Sequence, residues 1–240
     1  MKQVSSIEKI AMGEELKSVR FDGDIGYFVT FVQTDPLFTV DLKDPYDPKI
    51  LSELKIPGFS TYLHPYGSGL LFGLGNAADE KTGRTSGLKL SMFDVSDKAD
   101  VKEQNTLIFA EENRTYDVYE SYHSMALDNH KAILISPEKN LIGIPVSHEI
   151  WSYDDYESDS ESKLSYIFFK YSEQEGFVQL GEAVVMESKD SSDWNKFYSI
   201  YRDSVRGMYI GDYLYVVSTA GCTSFTMDSF TKVASVEFGE

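Results

Sequence analysis

Four times along the chain a short strand-forming stretch, a turn and a strongly apolar stretch follow one another. This recurrence constrains the fold more than any other feature of the sequence. The four copies are SVRFDGDIGYFVTF (18–31), TYLHPYGSGLLFGLG (61–75), SMALDNHKAILIS (124–136) and GMYIGDYLYVVS (207–218). A third strand follows each copy and in three cases ends near an Asp: LFTVDL (37–42), LKLSMFDVSD (88–97) and CTSFTMDSF (222–230). In the third copy it reads YIFFKYSE (166–173), lacks the Asp and is delayed by residues 147–165. A fourth strand closes each unit: KILSELKI (49–56), VKEQNTLIF (101–109), GFVQLGEAVVM (176–186) and TKVASVEF (231–238).

Four strands per unit at this spacing is the sequence signature of propeller blades. Periodicity separates this reading from a sandwich, whose strands have one solvated face and alternate apolar with polar. The second strands YFVTFV, LLFGLG, AILIS and YLYVV are nearly continuous instead, which implies burial on both faces between stacked neighbours. The same burial in an α/β fold needs covering helices, and no helix-period segment exceeds about three turns. A load of 16 Tyr and 15 Phe agrees with strand, where aromatic rings pack well on the pleated surface. The expected fold is all-β: four four-stranded antiparallel blades at 16–56, 57–110, 117–187 and 197–238, forming part of a larger β-propeller. The third blade is expected to carry 147–165 as an inserted acidic loop. VSSIEKI (4–10) reads like the closing strand VASVEFG (233–239), so residues 1–10 are expected to be the outer strand of a blade upstream in a longer parent. Blades cut from a wider ring would leave apolar faces open, and self-association of the fragment is expected from that.

Turn chemistry supports the strand boundaries. Asp22-Gly23 and Gly211-Asp212 separate apolar strands, where tight hairpins need positive φ. Asp44-Pro45 and Asp47-Pro48 punctuate a loop, because the residue before proline is pushed out of the helical region.

Charge removes several function classes. A net charge of −17, with Lys and Arg scattered singly, is opposite to what displaces counterions from nucleic-acid phosphates. Nucleic acid and direct contact with an anionic membrane are therefore not expected partners. The one cysteine, Cys222, excludes an internal disulfide and reads as a buried, inert thiol. Residues 1–20 lack the apolar core of a signal peptide, which leaves room for one upstream in a longer parent.

The chemistry-bearing residues are few. His64 and His130 are read as occupying equivalent turns of units two and three, where they bond the backbone. With His123 and His148 they are the only histidines, and two turn histidines fall short of the three or four ligands zinc needs. No nucleophile elbow or comparable motif accompanies them, so no catalytic or cofactor-binding residue is assigned. Asp154, Asp155, Glu157, Asp159 and Glu161 cluster within WSYDDYESDSES. The first reading is a solvated loop; the second is a loose Ca²⁺ site through Asp154, Asp155 and Asp159, although the spacing and central glycine of an EF-hand are missing. No other cofactor is implied. Gly75–Gly87 reads as a flexible hairpin loop without phosphate-cradling spacing. Asn113-Arg114-Thr115 matches a glycosylation sequon.

Residues 19–67, with GLKLSMFDVSD (87–97), SMALDNHKAILISPEKNLIGIPV (124–146) and YIGDYLYVVS (209–218), resemble bacterial and archaeal secreted or membrane-anchored proteins with a C-terminal β-propeller distantly related to WD40 repeats. The resemblance covers essentially the whole chain and implies a longer, exported parent, located outside the cell or in its envelope. It brings no catalytic or binding residues. The functional expectation is a non-catalytic binding or scaffolding module of the cell envelope, with a protein or glycan partner. The alternative is a glycan- or peptide-acting enzyme using acidic residues in the propeller funnel.

Overall fold

The computed structural model describes residues 2–8, 10–31, 35–110, 118–153, 158–189, 197, 200 and 205–238. The chain divides into two compact units, Met1–Phe109 and Ala110–Glu240. Unit 1 holds two antiparallel sheets. The first is β1 (Glu15–Asp22), β2 (Ile25–Phe31), β3 (Asp35–Asp41) and β4 (Lys49–Ile56), hydrogen-bonded in that order; the second is β5 (Phe59–Pro65), β6 (Leu70–Ala78), β7 (Thr85–Asp94) and β8 (Lys102–Ala110). Each meanders because successive apolar runs are joined by short turns, and a two-residue hairpin such as Gly23-Asp24 fixes register directly. Gly23 has the positive φ that this turn requires.

The Asp at or just after the end of the third strand in three of the four repeats has a local purpose. The Asp41 carboxylate accepts from the Lys43 N–H at 2.9 Å. Asp94 accepts from the Ser96 N–H at 2.9 Å and from its hydroxyl at 2.6 Å. Asp228 accepts from the Ser229 N–H. These carboxylates start the turns that lead into the fourth strands.

The two sheets of unit 1 share a core of Tyr27, Val29, Leu37, Leu63, Leu71, Phe93, Val95 and Val101, with Ile25, Leu54, Ile56 and Phe59 packed against it. Polar side chains between them are locked. Lys89 Nζ meets the Glu103 carboxylate at 2.8 Å and donates to the Pro57 carbonyl at 3.0 Å, while Ser91 donates to Glu103.

In unit 2 the last sheet repeats the plan: β14 (Arg206–Ile210), β15 (Tyr213–Val217), β16 (Gly221–Thr226) and β17 (Lys232–Glu237), following the third sheet, whose strands are β9 (Val118–His123), β10 (Leu134–Ser136), β11 (Leu141–Tyr153), β12 (Ser158–Ser172) and β13 (Gly176–Ser188). Here the sequence expectation fails in detail. Of AILIS, only Leu134–Ser136 is strand, and it is β10, the first strand, not the apolar second strand, which is β11. The described residues of 147–165 are strand, not an inserted loop: Val146–Tyr153 pairs with Ser158–Ser165. β12 runs 15 residues. The first-strand position is split. β10 pairs with Leu141–Gly143 and β9 with Ser147–Ser152 along the same edge of β11. Between the two, 3-10 turns at Met125–Leu127 and His130–Ala132 are capped by the side chains of Ser124 and Asn129. The sheet therefore stays four strands wide.

Tyr166 fastens the two sheets of unit 2. It is fully buried in β12, and its single O–H is shared between the carbonyls of Ala132 (2.8 Å) and Gly143 (3.0 Å). The Leu134 and Gly207 N–H groups donate to its oxygen. β14 approaches so closely that a Cβ on Gly207 would lie 2.2 Å from Tyr166 Cε1.

Two further expectations change. Residues 2–8 form no strand; Ser5 instead donates to the Pro45 carbonyl. β15 alternates: Leu214 and Val216 are buried while Tyr213 is exposed. Val236, Met208 and Ile210 share the face of Tyr213 by register and are exposed with it.

Candidate functional site

The extension of β11 beyond Val146 carries the most chemistry among the described residues. Successive residues of a strand point to opposite faces, and cross-strand partners share a face. The pairings Tyr122–His148–Lys163–Glu187 and Glu120–Ile150–Glu161 therefore gather these side chains on one face of the third sheet. His148 Nε2 lies 2.8 Å from the Glu120 carboxylate, and the Tyr122 ring stacks on the imidazole at 4.2 Å and 3°. Glu120 is buried, and its hydrogen bond with His148 helps offset the cost of a carboxylate there. Lys163 Nζ meets Glu182 at 2.8 Å, and Ser165 donates to the same carboxylate. Burial pushes the Glu182 carboxyl up, but Lys163 and Ser165 outweigh it and hold it below the usual range. Lys189 approaches Glu161 at 3.9 Å.

These groups border a cleft of about 300 Å³ lined by His148, Ile150, Glu161, Lys163, Glu187 and Lys189, together with Ser162 and Ser188. Glu149, next along β11, points to the opposite face, where burial pushes its carboxyl up against the pull of a Trp151 hydrogen bond. A larger groove of about 800 Å³ runs between β13 and β15–β17, with Val184, Val236 and Phe238 on its walls.

The residues singled out from sequence fare differently. Asp154 and Asp155 lie outside the described residues. Asp159 stands in β12 opposite Ser152, and its side chain is likewise outside them. Among the described residues no three His, Cys, Asp or Glu side chains converge to hold a metal. His64 is not in a turn but inside β5, opposite Phe72, because the turn starts one residue after Pro65. Its Nδ1 lies 2.8 Å from the Tyr62 hydroxyl. His130 is in a 3-10 turn. The loop expected over Gly75–Gly87 shrinks to 79–84, since β6 and β7 run on into it; Asp79 closes it by accepting from Lys81 and Thr82. Asn113, Arg114 and Thr115 fall outside the described residues. No helix among the described residues is long and apolar enough to cross a membrane.

The His148 constellation was missed in the sequence because Glu120 and Glu182 are 28 residues before and 34 after it, a separation only strand pairing closes. A signal was present: YESYH and SHEIW are both short, polar and aromatic, as antiparallel partners on a half-exposed layer would be.

Four successive antiparallel sheets of this order are what a family of known domains also displays. A beta propeller domain family matches residues 1–230. The chain belongs to the β-propeller domain family. An uncharacterised protein of Archaeoglobus fulgidus is 32% identical over 98% of this propeller chain, which spans 29% of that protein; one of Methanocaldococcus jannaschii is 48% identical over 42% of the chain and 15% of its own length. The propeller chain thus spans under a third of either relative. Among solved structures, the Nup133 β-propeller domain of Vanderwaltozyma polyspora aligns over 97% of the chain and 65% of its own, at 12% identity and a TM-score of 0.44.

Proposed function

We propose that this propeller region is a non-catalytic binding or scaffolding module, and that the cleft beside β11 is where it meets a protein or glycan partner. The observation that carries the reading is a set of side chains tied across the strands: Glu120 hydrogen-bonded to His148, and Glu182 ion-paired with Lys163. These groups are fixed before any partner arrives, which lowers the cost of binding. The cell envelope is the proposed setting; its support is the resemblance to exported proteins. A loose Ca²⁺ site through Asp154, Asp155 and Asp159 remains a lesser proposal.

The test is to probe glycan and peptide arrays with the full chain and with His148→Ala and Lys163→Ala. Specific binding that both substitutions weaken about tenfold, roughly the loss of one charged contact, supports the reading; binding unchanged by either refutes the assignment to this cleft.

An acid–base enzyme is the second reading, favoured by Glu149 with its raised carboxyl and by His148 held by Glu120. Glu149 and His148 face opposite sides of the sheet, so the two cannot flank one scissile bond. Turnover of chromogenic glycosides or peptides that is lost in one of His148→Ala and Glu149→Gln and kept in the other would establish it and name the face.

A further inference from the structure

Among the described residues three buried side-chain atoms have no hydrogen-bond partner: Arg20 Nε, Thr39 Oγ1 and Ser52 Oγ. All three stand in one cross-strand row of the first sheet, Arg20–Tyr27–Thr39–Ser52. The row lies on the core face, since Val29 and Leu37, two residues along from Tyr27 and Thr39, belong to the core with Tyr27. Thr39 is completely buried. Buried polar atoms are nearly always satisfied, and one left over calls for an explanation. Three in a single row call for a common one.

We propose that this row is a buried site for a small inorganic anion of the halide or phosphate class. The chemistry of the row is donor-rich. Lys98 Nζ lies 2.9 Å from the Tyr27 hydroxyl and must be the donor, because an ammonium accepts nothing. The Tyr27 proton therefore points elsewhere. Arg20 Nε–H, Tyr27 O–H, Thr39 O–H and Ser52 O–H are then four groups on one face that can donate; Arg20 is itself a cation, and the Lys98 ammonium stands beside Tyr27. Neither Arg20 nor Lys98 has a described carboxylate at ion-pair distance, in a chain with 39 Asp and Glu. The hydroxyls can accept as well as donate, but the Arg20 guanidinium and the Lys98 ammonium can only donate, and it is these two cations that favour an anion. The positive field is also felt nearby: His64 is held below its usual value by burial and then by Arg20. Strand spacing puts about 14 Å between the first and last Cα of the row, so one ion touches neighbouring members rather than all four.

The experiment uses the full chain. Melting temperature is followed at fixed ionic strength as sodium gluconate is replaced by chloride, bromide or phosphate, and crystals are grown in bromide for anomalous scattering. Expected is a saturable rise of about 3 °C or more with halide or with phosphate, the responding salt identifying the source. Thr39→Val, which keeps the shape and removes the hydroxyl, should flatten the response, as should Arg20→Met. An anomalous bromide peak beside the row supports the halide arm directly. A flat salt response with no peak, or a response that survives intact in Thr39→Val, overturns the proposal.

Discussion

β6 and β11 hold the same place, second strand of their sheets, and are used differently. β6 is apolar through Leu74, and Leu71, Phe72 and Leu74 are wholly buried. It ends where Asp79 organises the turn. β11 starts the same way, with Leu141–Ser147 buried, and then continues through His148–Ser152, which are only partly covered. That extension has its own partner strand, β9, and carries the polar cleft. The contrast teaches that the stretch of a blade which cannot bury its side chains on both sides is the stretch where polar and charged groups collect.

Removing an anchor from the β6 side should have the largest effect. Phe72→Ala is expected to cost about 3–5 kcal/mol, as a large aromatic leaving a cavity, read from urea unfolding. If it cost no more than a substitution in the β11 extension, the division between framework and site would collapse. Next is Gly207→Ala, whose new methyl would strike Tyr166; an overpacking cost of about 1–3 kcal/mol is expected, and Tyr166→Phe in the same background should recover little, because the clash is with the ring. Lys163→Met in the cleft should cost about 1 kcal/mol or less, since the Lys163–Glu182 pair is over a quarter exposed on both sides. A loss as large as that of Phe72→Ala would make the cleft a structural element.

The smallest effect concerns pH and places one histidine in each region. His64 in β5 and His123 in β9 are both held below the usual value by burial; Arg20 lowers His64 further, while Asp128 partly restores His123. The unfolded chain then binds more protons than the folded one just below pH 6.5, so stability is fully present above that value and falls as the pH drops toward the folded pKa values. Melting temperature between pH 7.5 and 5 should decline in the wild type, and His64→Gln should flatten that decline more than His123→Gln. A decline unaffected by either substitution would assign it to other groups.

Much of the fold was legible because its determinants are local. The Gly23 turn and the Asp41 and Asp94 turn starts act within a few residues, and the runs YFVTFV and LLFGLG announce strands buried on two faces. The third unit was misread for the opposite reason. AILIS is as apolar as a second strand, but Ser124 and Asn129 cap short helical turns just before it and leave only three residues to pair as β10. WSYDDYESDSES looks like a loop by composition, yet Ser152 and Asp159 are ladder partners, because β9 and β13 supply edges that its polarity cannot reveal.

The sequence by itself determined that the chain is a succession of antiparallel strands with fixed turns, since period, apolar run length and turn chemistry are read over a few residues at a time. Tertiary structure alone decided which charges meet. Glu120, His148, Lys163 and Glu182 become neighbours only when strands are paired in register, and a slip of one residue would send His148 to the other face. The row Arg20–Tyr27–Thr39–Ser52 was likewise set by pairing across four strands, and its burial by the second sheet's contribution to the shared core. Side chains far apart in sequence carry no local signature of their contact, and it is the ladder that supplies one.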